Sequence, residues 1–79
     1  MKKDTFVQAV AIQDELKTIY EDLKALADVE NAYEVGFKKD NVLITFRNVD
    51  EETKKNTWEM VHDDLIRRKE DALRRFEEL

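Results

Sequence analysis

Cysteine, proline and serine are absent from this chain of 79 residues, and glycine and histidine occur once each. Each absence removes a class of explanation. Without cysteine there is no disulfide framework and no thiolate zinc site, the usual supports of a short chain, and nothing indicates an oxidising compartment. Without serine or cysteine the available nucleophiles are Thr5, Thr18, Thr45, Thr53, Thr57 and two tyrosines, and His62 matches none of them at a spacing that nucleophilic catalysis uses. Gly36 stands alone inside a strand pattern, so no glycine-rich loop can cradle a phosphate. It marks either a bulge or a close crossing by another backbone. Long apolar runs are missing too: Gln8, Gln13, Asp14 and Glu15 interrupt the stretch that begins at Phe6 and Val7. The expectation is a cytoplasmic protein with no membrane association.

What is present is charge and periodicity. Charged residues make up 42% of the chain, with a net charge of -5, and apolar residues another 42%. That apolar content, arranged with a clear period, is more than a disordered segment carries. Residues 1–32 hold four basic and seven acidic groups, 33–49 three and two, and 50–79 seven and ten, so only the middle is net positive. A single core at this length supplies about 3–5 kcal/mol, which makes oligomerisation the remaining stabilising device.

Ala9, Ile12, Leu16, Ile19, Leu23 and Leu26 recur at alternating spacings of three and four, the seam of a coiled coil or a closely packed helix pair. The spacing predicts a helix over about 5–28, opened by Asp4 or by a Thr5/Gln8 capping box. From Tyr33 the period becomes two. Tyr33, Val35 and Phe37, then Val42, Ile44 and Phe46, predict strands over about 33–37 and 42–47. Asp40 and Asn41 suit the turn, and a two-residue loop would set Phe37 opposite Ile44 and Val35 opposite Phe46; a four-residue loop would pair Phe37 with Val42. Either register gathers the large apolar residues on one face. Asn48-Val49-Asp50-Glu51-Glu52 announces a second helix, over about 50–78, with an apolar stripe of Trp58, Val61, Leu65, Ala72 and Phe76, flanked by Ile66, Leu73 and Leu79. Its outer face offers acid-first pairs at a spacing of four, Asp63 with Arg67, Asp64 with Arg68, Glu70 with Arg74 and Asp71 with Arg75. The predicted fold is one α+β domain, helix–β-hairpin–helix, with two long helices packed on a small antiparallel sheet and completed by dimerisation. The dimer could form through the sheet edge or through the helix seam.

The motifs for chemistry are weak. Glu59 and His62 have the Glu-x-x-His spacing of carboxylate-bridged metal sites, with Asp63 beside them, but helix one offers no inward carboxylate to complete a site. No catalytic residue, metal or cofactor is therefore expected, and no motif assigns the chain to a family. The expected function is that of a small acidic, non-enzymatic interaction protein that binds and modulates another protein, of the accessory kind found in bacteria and their phages. Leu16, Ile19, Leu23, Leu26, Tyr33 and Trp58 are the interface candidates. The alternative is a nucleic-acid-associated homodimer using Lys38, Lys39 and Arg47; the arginines of the last helix all have acidic neighbours and suit phosphate less well.

Overall fold

The computed structural model of the chain describes residues 2–29 and 34–79. Two long helices, α1 (Lys3–Asp28) and α2 (Glu51–Glu77), flank in chain order a two-stranded antiparallel sheet of β1 (Val35–Lys39) and β2 (Val42–Phe46). Helix, hairpin, helix is the expected order. Tyr33, expected at the start of the first strand, lies outside the described residues.

The helices run antiparallel against each other, the start of α2 beside the end of α1, and the six-residue seam of α1 faces inward as its spacing implies. Ala9, Ile12 and Ile19 are buried, and Leu16, Leu23 and Leu26 are half-buried. From α2 the buried residues are Leu65 and Ala72, seven apart and in line with the half-buried Trp58. That spacing is two helical turns, so the three form one row. The inward face of α2 is turned slightly from the expected stripe. Val61 and Phe76 are 45% and 39% exposed, whereas His62, Ile66 and Lys69 are half-buried. The long stems of such polar residues can lie along apolar surface while their ends reach water, and a scan for apolar residues passes over them.

Both helix starts depend on the first turn. Asp50 caps α2, its Oδ1 accepting from the Thr53 N–H at 2.7 Å, and Glu51 and Glu52 follow at the positive end of the helix dipole. α1 begins at Lys3, ahead of the expected caps. Lys2 occupies the cap position without a side-chain bond, its carbonyl accepting from Phe6 N–H, so Asp4 and Thr5 sit inside the first turn.

The hairpin has the register of the two-residue loop: Val35 pairs with Phe46, Phe37 with Ile44 and Lys39 with Val42. Asp40 carries the turn at φ 56°, a left-handed conformation that aspartate tolerates. The pairing is one-to-one, without a bulge, and a Cβ on Gly36 would stand 2.5 Å from the Ile44 carbonyl oxygen. Of the two readings of Gly36, the close backbone crossing holds.

The expected packing differs in one respect. The helices close on each other rather than across the sheet, and the hairpin packs little against either. The molecule is accordingly long, 53 × 26 × 16 Å, with a radius of gyration of 16.4 Å against about 12 Å for a compact chain of this length. The sheet's apolar face stays open because α1 has one seam, and α2 occupies it.

Two predictions follow from these local contacts. Gly36→Ala should force β1 and β2 apart and remove the hairpin's amide protection in hydrogen exchange while leaving the helical circular dichroism unchanged. The Thr53 contacts hold the Asp50 carboxyl below the ordinary range, so the cap's contribution is complete above the unfolded value, near 3.9, and is lost as pH falls through the lower folded value. Asp50→Ala should lower the melting temperature at neutral pH, and the gap from the unaltered chain should close in strong acid.

Candidate interaction surfaces

The interface candidates of α1 are the residues that α2 covers. Ile19 is 1% exposed, closed inside the helix pair, and Leu16, Leu23 and Leu26 are half-buried along the same line. They hold the two helices of one chain together. Trp58 has a similar role at the other end of the pair. Its indole N–H donates to the Leu26 carbonyl at 2.9 Å, across 32 residues of sequence, and its ring stacks on His62 with centroids 5.1 Å apart and planes 9° from parallel. The Leu26 carbonyl belongs to the last turn of α1 and also accepts from the Val29 N–H at 3.3 Å, so the indole shares it with the backbone. Trp58 therefore ties the end of α1 to the start of α2 and bounds the loop between them.

His62 has the Trp58 ring on one side and the Asp63 carboxylate 3.5 Å from its Nδ1. Among the described residues no three histidine, aspartate or glutamate side chains come together as they would to hold a metal ion. Glu59 is exposed. Two carboxyls are held below the ordinary range: the Arg74 hydrogen bond lowers that of Asp71, as the Thr53 contacts lower that of Asp50.

The ion pairs on α2 are arranged differently from the expected ladder. Asp64 takes both Arg67 and Arg68, and Asp71 takes both Arg74 and Arg75, because on a helix the neighbours at three and at four are equally within reach. Asp63 turns to His62 instead of Arg67. Arg75 also crosses to α1, donating to Glu15 at 2.8 Å, and Glu15 raises the proton affinity of its guanidinium. This bridge between helices joins residues 60 apart, which no local spacing could indicate. All these groups are well exposed, so they direct the pairing of the helices more than they stabilise it.

The three basic candidates of the hairpin do not converge. Lys38 and Lys39 are near the turn, whereas Arg47 lies just past the far end of β2, about 17 Å away at the rise of an extended strand. All three are exposed, and no carboxylate among the described residues pairs with them.

The largest concentration of open apolar surface is elsewhere. Phe37 is 69% exposed, and Val42, Ile44 and Phe46 share its face and are also exposed; the Phe37 and Phe46 rings meet edge to face at 5.8 Å. Leu43 is exposed on the opposite face. The alternation that identifies these residues says which face they share, but not whether that face is covered. On the helices, Phe6, Val7, Val10 and Tyr20 of α1 and Met60, Val61, Leu73 and Phe76 of α2 are exposed as well. Among the described residues no helix is long and apolar enough to cross a membrane. No family model, curated protein or solved structure matches this chain.

Trp58→Phe keeps the ring and removes the donor that ties α2 to the Leu26 carbonyl, which keeps the Val29 N–H. It should cost about 1 kcal/mol in chemical denaturation. No loss would show that water replaces the indole without penalty and that the tie is not structural.

Proposed function

We propose that the chain is a non-enzymatic interaction protein, a homodimer that binds another protein and thereby modulates it. The observation that carries this reading is the amount of surface left open. The chain exposes 6756 Å², against about 5,000 Å² for a compact monomer of its mass. Much of that surface is apolar, on the hairpin and along both helices, which is the property of a molecule whose surfaces are meant to be covered.

Binding to nucleic acid has less support. Phosphate recognition draws on cations gathered along one track, and Arg47 stands apart from Lys38 and Lys39. A two-fold axis would double these charges without bringing them closer within a chain.

Light scattering over a dilution series, at low and at moderate salt, tests the proposal together with retention of a generic duplex at low salt. The mass of two chains at both salt concentrations, with no retention of duplex, is expected. A folded monomer throughout would remove the dimer, and salt-sensitive retention of duplex would replace the protein partner with nucleic acid.

A further inference from the structure

We propose that two copies of the chain pair by exchanging hairpins: the apolar face of each hairpin, carried by Phe37, Val42, Ile44 and Phe46, lies in the groove between α1 and α2 of the other copy. The inference rests on the homodimer reading and names the two surfaces that meet. The groove opens at the hairpin end of the helix pair, where Val29, Met60 and Val61 are exposed beside a floor of Leu26 and Leu65. Asp22 and Asp64 line its inner end. Within one chain the hairpin packs little against either helix, so both surfaces are open at once.

Charge selects this groove. Lys39, at the tip, is the one charged residue on the apolar face of the hairpin, and it has no ion pair among the described residues. Asp22 has none either, whereas Arg68, on the same rim, is taken by Asp64. A hairpin entering from the open end, tip foremost, brings Lys39 to Asp22 and lays Ile44 over Val61 and Phe46 over Met60. The lengths agree: about 14 Å from Val42 to Phe46 along the strand, and about 12 Å from Met60 to Arg68 along α2. The groove beside Tyr20 carries Lys17 and Lys24, which would repel Lys39. That beside Gln8 and Glu78 lies at the opposite end of the helix pair, and a hairpin seated there would join chains head to tail into an open row.

Area separates exchange from the stacking of one hairpin on another. At about 200 Å² for a large side chain, the open parts of Phe37, Val42, Ile44 and Phe46 amount to about 450 Å², little more than half of the 800 Å² or so that a standard interface takes from each partner. By the same measure Val29, Met60 and Val61 add about 300 Å². Under a two-fold axis each chain gives one hairpin and receives one, so exchange approaches the standard area and stacking falls well short of it.

Light scattering over a dilution series tests the exchange, with Ile44→Glu on the hairpin, Val61→Glu in the groove and Tyr20→Glu beside the other groove as the control. The unaltered chain and Tyr20→Glu should have the mass of two chains. Ile44→Glu and Val61→Glu should each have the mass of one, with their helical circular dichroism retained. Should either fail to fold, the charges supply a second measurement at exposed positions. Lys39→Glu and Asp22→Lys should each raise the dissociation constant of the dimer about tenfold at low salt, and the two together should restore it. A dimeric Ile44→Glu or Val61→Glu, or a double charge variant no tighter than the single ones, would overturn the exchange while leaving the homodimer standing. A monomeric unaltered chain would overturn both.

Discussion

The closure of α1 on α2 within a single chain decides the rest of the structure. Ile12 and Ile19 from one helix and Leu65 and Ala72 from the other form the centre of the contact. Ala72 is fully buried and has almost no side chain, which allows the helices to approach closely there. Trp58 then fixes the open end by bonding the Leu26 carbonyl, and Arg75 bridges to Glu15 further along. A helix pair closed this way has used its principal apolar faces. The hairpin between the two helices in sequence is left to project, supported by its own cross-strand pairs and its Phe37–Phe46 contact.

The hairpin and the helix pair hold together by different means, and the difference bears on function. The pair has a thin but continuous core, ordered by a seven-residue repeat on both partners. The sheet has one apolar face and no core at all. A face left in water adds nothing to the stability that the small core provides, and the hairpin then depends on its own cross-strand pairs. The groove of a second copy is the cover proposed for it. The flanks of the helix pair, with Phe6, Val10, Tyr20 and Leu73, remain available for a partner of another kind.

Much of this organisation is legible in the sequence, for identifiable reasons. The α1 seam could be read because a long helix repeats its signal six times. Asp40 and Asn41 located the turn and narrowed the hairpin to two registers, of which the structure has that of the two-residue loop. The inward face of α2 was harder to read, since two of its contributors, His62 and Lys69, are polar, and the apolar Val61 lies at its margin, 45% exposed. Pairing of the charged residues was read only in part. A spacing of four identifies a possible partner but does not exclude the one at three, and it carries no information about Glu15 reaching Arg75 from another helix. The open hairpin face was the least legible feature, because alternation defines a face without saying what covers it.

The most direct test of the whole account is to establish which contacts join residues of one chain and which join two. Isotope-filtered nuclear Overhauser spectra of a sample mixing labelled and unlabelled chains make that separation. The account predicts cross-chain signals between the side chains of Ile44 and Val61 and between those of Phe46 and Met60, and none between Ile19 and Leu65. Cross-chain signals between Ile19 and Leu65 would mean that the helices pair between chains, and a complete lack of cross-chain signals at the hairpin would leave its apolar face without the partner assigned to it.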